Sequence, residues 1–157
     1  MHDHIHPNGG FLVRAHHQME AMLNRVPPSV TRLLLRWGLA GVFCTSARTK
    51  VDGLLTVSDS AKYLFAEEYR LPLIDPDLAA HLATYAEHAF ALSLILGLAT
   101  RLSAFGIIVM TLVIQLFVYP DAFLGVHLGW FAMAFAIVTS GPGAISLDHL
   151  LRTRFVR

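Results

Sequence analysis

The amino-acid sequence predicts an all-α fold: a transmembrane four-helix bundle with an N-terminal amphipathic interfacial helix and a short helix in its first outer loop. Three observations lead to this prediction. The 157 residues are 55% hydrophobic and only 15% charged, whereas average soluble domains carry about 25% charged residues. The apolar residues form four blocks, each close to the ~20 residues that cross the hydrocarbon core of a bilayer. Gly and Pro residues, which stop helices, stand at the ends of the blocks.

The four blocks define one membrane domain, residues 30–151. The predicted spans are residues 30–47, 78–99, 102–119 and 122–140. Pro27 and Pro28 precede the first span, and Pro120 ends the third. Because Pro has no backbone N–H and a fixed φ, it marks the beginnings and ends of helices.

Two shorter helices are predicted outside the spans. Residues 1–29 form a polar, His-containing tail, in which apolar side chains recur at helical spacing over residues 11–26. That pattern is typical of a helix lying on a membrane surface. In the loop after the first span, Ser58 or Asp59 can cap a short helix over residues 59–69. We expect this helix to cover the outer end of the bundle.

The distribution of basic residues predicts the orientation of the spans. Seven basic residues lie on the side of the termini if there are four spans, and four lie on the other side. The first set is Arg14, Arg25, Arg32, Arg101, Arg152, Arg154 and Arg157, and the second is Arg48, Lys50, Lys62 and Arg70. The positive-inside rule then places both termini in the cytoplasm. Residues 152–157 are accordingly a basic cytoplasmic tail.

Charge and cysteine content exclude several classes of function. The formal net charge is +1, and no basic stripe is present that would neutralise the phosphates of a nucleic acid. Cys44 is the one cysteine. A single cysteine excludes an intramolecular disulfide, a CxxC redox pair, covalent c-type haem and a cysteine-ligated iron–sulfur cluster. We therefore expect no nucleic-acid partner and no intrinsic cofactor of these kinds.

Glu87 lies in the middle of the second span, where an ionisable side chain costs about 2.5–3.5 kcal/mol on insertion scales. Such a group normally faces the bundle interior and finds a partner there. We expect that partner to be Arg36, whose guanidinium matches a carboxylate. One interpretation is a polar pocket that binds a ligand or relays protons, formed by Arg36, Tyr85, Glu87, His88 and Gln115. The other is an ion pair that only locks two helices together.

The histidines allow a second, metal-based interpretation. His81 and His88 share one face of the second span, and His127 lies in the fourth. Glu87 and His88 are adjacent and lack the i,i+3 spacing of di-iron helices, so we expect hydrogen-bonded imidazoles and no metal site. Five further histidines lie near the N-terminus: His2, His4, His6, His16 and His17. They are either a weak copper or zinc site or part of a flexible polar tail.

Three stretches occur in an order and spacing typical of one family. They are Arg36-Trp-Gly38 running on to Lys50, Glu87 followed by Leu96-Gly97-Leu98-Ala99-Thr100-Arg101, and Gly141-Pro142-Gly143 followed by Ser146-Leu147-Asp148. Over residues 30–151 the chain resembles the DoxX family of small four-helix bacterial membrane proteins. One departure is Ala47-Arg48, where the family often has a glycine before its first-helix lysine.

The resemblance implies a location in the bacterial inner membrane, with the lipid bilayer as a partner. It also implies structural roles at the helix ends, where Lys50, Gly97, Arg101, Gly141, Pro142, Gly143 and Asp148 lie. Some members of the family are linked to quinone-dependent sulfur oxidation or to membrane oxidoreductase complexes. Others are encoded beside enzymes that modify metal-binding peptides.

Two functions from different classes follow. The first is a quinone-linked or redox-accessory subunit, which would need a soluble or membrane redox partner to supply electrons. The alternative is a non-enzymatic scaffold or permease-like component of a metal-handling or peptide-maturation system. Proton or ion conduction is a third hypothesis. The sequence assigns no catalytic residue and does not determine the oligomeric state.

Overall fold

The computed structural model describes residues 9–155, and four of its α-helices, α2, α4, α5 and α6, lie close to the four apolar blocks of the sequence. The α-helices are α1 (Gly9–Leu23), α2 (Pro28–Arg48), α3 (Asp59–Leu64), α4 (Pro76–Leu96), α5 (Thr100–Phe117), α6 (Leu128–Ser140) and α7 (Leu147–Phe155). A π-helical turn, Phe65–Tyr69, extends α3. A 3₁₀ turn, Pro120–Ala122, and a second π-helical turn, Phe123–His127, lead into α6.

Helices α2, α4, α5 and α6 pack in a ring, each against two of the others. The centre of this ring is filled by small and branched apolar side chains, among them Leu39, Leu94, Ile107 and Ile137, none more than 1% exposed. Gly106 allows α4 and α5 to approach each other, because a Cβ at this position would lie 2.8 Å from a ring carbon of Phe90. Small residues are common where membrane helices pack closely.

Local capping explains where the helices begin and end. Asp75 accepts a hydrogen bond from the Leu78 amide at 3.1 Å and so caps α4. Gly97 ends α4 with a left-handed φ of 69°, a conformation that favours glycine. The turn between α4 and α5 therefore lies at residues 97–99, about two residues before the position expected from the apolar blocks.

The loop between α2 and α4 contains a short hairpin that the sequence pattern does not predict. Strand β1 (Val51–Asp52) pairs antiparallel with β2 (Thr56–Val57). Two-residue strands are too short to show the alternation by which strands are recognised. Behind the hairpin, Ser58 caps α3 by accepting from the Ala61 amide at 3.2 Å. Apolar residues of this segment pack on the first turns of α4, so the loop covers one end of the ring.

The ring has an apolar exterior and a partly polar interior. Its exposed side chains include Leu34, Trp37, Leu92, Leu102, Phe105, Leu116 and Phe135. Its buried side chains include Arg36, Glu87, Ser103, Thr111 and His127. Helix α5 and the helical segment 120–140 are both long and apolar enough to cross a membrane. This distribution is consistent with an all-α membrane protein, because a soluble protein rarely exposes large contiguous apolar patches.

Asp148 joins the α4–α5 turn to the beginning of α7. Its carboxylate accepts hydrogen bonds from the Ala99 and Thr100 amides, both at 2.8 Å. Its own amide donates to the Gly97 carbonyl at 2.9 Å. Ala99 has a left-handed φ of 46°, a strained conformation for a residue with a Cβ. The carboxylate thus satisfies backbone donors at a turn that has an unfavourable conformation by itself.

We predict that Asp148→Ala lowers the free energy of unfolding by about 1–3 kcal/mol, because it leaves two backbone donors without their acceptor. Chemical denaturation in mild detergent measures the change. The matched control is Asp121→Ala, an exposed position whose side chain forms no hydrogen bond with residues 9–155. An equal effect of the two substitutions would contradict the role given to Asp148.

Candidate functional site

A buried ion pair between Lys50 and Glu87 links α4 to the residues that follow α2. The Lys50 ammonium donates to both carboxylate oxygens of Glu87, at 2.9 and 3.1 Å. It also donates to the Ser46 hydroxyl at 2.8 Å and to the Ser46 carbonyl at 3.2 Å. The same hydroxyl donates to Glu87 at 3.0 Å. Each charge is therefore surrounded by hydrogen-bond partners, the condition under which a buried pair is tolerated.

The expected pairing of Arg36 with Glu87 is wrong. The Arg36 guanidinium is buried and donates to the Leu94 carbonyl at 2.9 Å and to the Ile145 carbonyl. The cause is the register of two antiparallel helices. Residue 36 lies level with residue 94, about 10 Å along α4 from Glu87 at a rise of about 1.5 Å per residue. Lys50 lies just beyond the end of α2, and its long, flexible side chain extends to the level of Glu87.

The ion pair lies in the wall of a cavity of about 160 Å³. Most of the lining is apolar or aromatic and comes from α2, α4, α5, α6 and the covering loop. Phe43, Phe65, Tyr69, Tyr119 and Trp130 supply the aromatic part of the wall. A cavity with an apolar lining and few polar groups is the usual form of a small-molecule site.

Two tyrosines close the cavity on the side of the loop. Tyr69, from the π-helical turn, and Tyr119, after α5, have ring centroids 5.8 Å apart in an edge-to-face arrangement. The Tyr119 hydroxyl donates to the Tyr69 hydroxyl at 3.5 Å. Burial raises the pKa of Tyr69, and the hydrogen bond with Tyr119 raises it further. Tyr69 therefore keeps its proton at neutral pH and remains available as a hydrogen-bond donor.

His127 and Gln115 form a second polar group beside the cavity. His127 lines the cavity wall, and its Nδ1 donates to the Gln115 side-chain carbonyl at 2.7 Å. Gln115 in turn donates to the Pro120 carbonyl at 2.6 Å. The hydrogen bond from Nδ1 to Gln115 fixes the tautomer of a neutral His127, so that Nε2 carries the lone pair. Of the proposed ligand-binding residues, Glu87 lines the cavity and Gln115 contacts it through His127.

The other candidate residues lie elsewhere. Tyr85 is on the outside of α4, where its hydroxyl donates to the Leu55 carbonyl at 3.3 Å. His88 and His81 each bond a carbonyl one turn earlier in α4, both at 2.8 Å. Arg36 is buried against the end of α4, at the Leu94 carbonyl. None of Arg36, Tyr85 and His88 lines the cavity.

The histidines do not converge on one point. Within residues 9–155 no group of three or more His, Cys, Asp or Glu side chains is arranged to hold a metal ion. His16 and His17 are exposed on α1, each 3.4 Å from Glu20. His2, His4 and His6 lie outside the described residues.

Sequence reasoning gave Lys50 only a structural role at a helix end and missed the other residues that complete the site. Ser46 and Lys50 are spaced i,i+4, which places them on one helical face, and this was the available signal for a hydroxyl beside the ammonium. Tyr69, Tyr119 and Trp130 gave no such signal, because isolated aromatic residues at membrane interfaces are common for other reasons.

We predict that Lys50→Met and Glu87→Gln each lower the free energy of unfolding by about 3–5 kcal/mol, because each leaves one buried charge without its counter-charge. Chemical denaturation in detergent measures the effect. The matched control is Lys62→Met, which removes a partly exposed lysine 3.7 Å from Asp77 and should lower the free energy of unfolding by no more than about 1 kcal/mol. If Lys50→Met lowers the free energy of unfolding no more than Lys62→Met does, the ion pair does not hold α2 to α4.

Comparison with known proteins identifies the family. A family model described as DoxX matches residues 31–120. The matched segment is more than half of the chain and contains both members of the Lys50–Glu87 pair, whereas the motif at residues 141–148 lies beyond it. No curated protein and no solved structure matches the chain. The match over residues 31–120 shows that the chain belongs to the DoxX family.

Proposed function

We propose that this protein binds a small amphiphilic ligand of the quinone class inside a membrane-spanning four-helix bundle. The observation that carries the proposal is the cavity, which combines a buried ion pair with an aromatic wall and adjoins an apolar groove on the outside of the ring. The ring of α2, α4, α5 and α6 is the transmembrane bundle. The bound molecule would place its polar ring beside Lys50 and Glu87.

The groove runs between α4 and α5 and has a volume of about 540 Å³. It shares four lining residues with the cavity: Leu71, Ala83, Met110 and Val113. Its other lining residues are almost all apolar, and in the membrane they face the lipid tails. We propose that a hydrophobic molecule enters the cavity sideways from the bilayer, past these four shared residues.

The sizes of the two spaces support an amphiphile with a ring and a chain. A cavity of about 150 Å³ holds one benzene-sized molecule, so 160 Å³ accommodates a ring but no long chain. The groove outside accommodates an isoprenoid or alkyl chain. Quinones have this shape, and their two carbonyl groups are acceptors for an ammonium or a phenol.

The polar groups suit a ligand that gains and loses protons. Lys50 and Tyr69 can donate hydrogen bonds to a quinone carbonyl, and Glu87 can accept a proton. Lys50 already donates to Glu87 and Ser46, so a ligand carbonyl would share the ammonium with them. A redox-accessory role would need a partner protein to supply the electrons.

The orientation follows from the positive-inside rule. Both termini and the Asp148 end of the ring lie in the cytoplasm, and the Lys50–Glu87 end lies toward the outer surface of a bacterial inner membrane. In this multi-pass arrangement the β1–β2 hairpin and α3 cover the outer end. The exposed apolar side chains of α1, such as Phe11 and Met22, would rest in the cytoplasmic interface.

One observation favours the alternative, a non-enzymatic scaffold or permease-like component. The hydrogen bonds of the Lys50–Glu87 pair are complete within the protein, so the pair can stabilise the bundle with no ligand present. In that case the cavity would be a packing defect, and quinone analogues would show no saturable binding.

We predict saturable quenching of Trp130 fluorescence by a short-chain alkyl benzoquinone. The assay uses a Trp37→Phe background, which leaves Trp130 as the one tryptophan in the cavity wall. Ala83→Phe fills the passage between cavity and groove and should weaken binding at least about tenfold, the equivalent of 1.4 kcal/mol.

The matched control is Ala89→Phe, the same substitution at an exposed position of α4, which should leave the affinity unchanged. Thermal unfolding confirms that both variants are folded before they are compared. Quenching that rises linearly with quinone concentration and is equal in all variants would reject the ligand site and favour the scaffold.

A further inference from the structure

A second depression lies at the opposite end of the ring from the Lys50–Glu87 cavity. It has a volume of about 530 Å³ and is formed by the beginning of α2, the α4–α5 turn, the 141–144 loop and α7. Three arginines line it: Arg32, Arg101 and Arg152. They come from three different helices, so the fold brings together charges that are far apart in the sequence.

These arginines have no protein partner in the described part of the chain: none of the three forms an ion pair or a side-chain hydrogen bond there. The one carboxylate in the lining, Asp148, is occupied by the Ala99 and Thr100 amides. With three arginines against one aspartate, the formal charge of the lining is +2 when His149 is neutral. The lining of the depression is therefore electropositive.

Two glycines hold the loop close to the arginines. A Cβ at Gly141 would lie 3.1 Å from an Arg101 guanidinium nitrogen, and a Cβ at Gly143 would lie 3.2 Å from the Arg32 Cβ. Both glycines have left-handed φ values, 78° and 80°. The loop thus packs directly on two of the arginine side chains, which limits their freedom and lowers the entropy lost when they bind a ligand.

The surroundings identify the chemistry of the ligand. Leu102, which lines the depression, is exposed, and so are Leu150 and Leu151 of α7, the helix that contributes Arg152. A guanidinium binds phosphate oxygens in pairs. We propose that this depression binds the phosphate of an anionic lipid headgroup, with Arg101 and Arg152 as the main contacts. The proposal depends on the membrane placement of the ring and is independent of the quinone cavity.

The location of the depression favours a lipid over a soluble phosphate as the ligand. The arginines belong to the end of the ring that the positive-inside rule assigns to the cytoplasm, and the lipid tails would cover the exposed leucines. Basic pockets at this level of a membrane protein are suited to anionic headgroups.

The test uses full-length protein, delipidated in mild detergent and titrated with phosphatidylglycerol, with phosphatidylcholine or with inorganic phosphate. A ligand that binds the folded state raises the temperature of unfolding. We expect saturable stabilisation by phosphatidylglycerol and little by phosphatidylcholine. Arg101→Gln and Arg152→Gln should each weaken phosphatidylglycerol binding about fivefold, the effect of one lost arginine near a membrane surface.

Arg154→Gln is the matched control. It removes the same charge from α7, two residues after Arg152, at a position that does not line the depression. It should leave the affinity unchanged. An equal loss in all three variants would show unspecific attraction and overturn the proposal. Stabilisation by inorganic phosphate alone, lost in Arg101→Gln, would assign the site to a soluble anion and overturn the lipid source. Because Arg152 is exposed, its variant tests the site even if Arg101→Gln fails to fold.

Discussion

The structure depends on the burial of one charge, the carboxylate of Glu87, in the middle of an apolar helix. A buried carboxylate without a partner would cost several kcal/mol, so the fold must bring a cation and hydrogen-bond donors to it. Lys50 and Ser46 meet this need at 2.9 and 3.0 Å. Because Lys50 follows α2 and Glu87 lies in α4, the pair ties these two helices together. It also creates the one charged patch in the wall of an otherwise apolar and aromatic cavity.

The two ends of the ring are built differently. At the Lys50 end Phe65, Tyr69 and Tyr119 line a cavity that adjoins the α4–α5 groove. At the other end Arg36 and Asp148 bond backbone groups of the α4 terminus, the α4–α5 turn and the C-terminal loop. The Lys50 end thus contains the cavity, whereas at the other end two charged side chains, Arg36 and Asp148, tie together backbone groups of separate segments.

The apolar blocks were sufficient to predict the helices, because helix stops and hydrophobic length act locally. Glu87 could be recognised as a buried polar site for the same reason. The partner of Glu87 could not be recognised from the sequence. Arg36 and Lys50 both lie within reach of the bundle interior, and only the register of α2 against α4 decides between them. Tyr69 and Tyr119 are 50 residues apart, and only the path of the covering loop brings them together. The hairpin was missed because two-residue strands carry no periodic signal.

The double variant Lys50→Met/Glu87→Leu tests most directly whether the ion pair serves both architecture and binding. Replacing a whole buried pair by apolar side chains is often neutral or stabilising, so unfolding in detergent should be close to that of the wild type. Quinone binding, followed by Trp130 quenching, should still fall at least about tenfold, because hydrogen bonds to charged groups contribute about 1.5–3 kcal/mol. Wild-type affinity in a stable double variant would contradict the account and leave the pair with an architectural role alone.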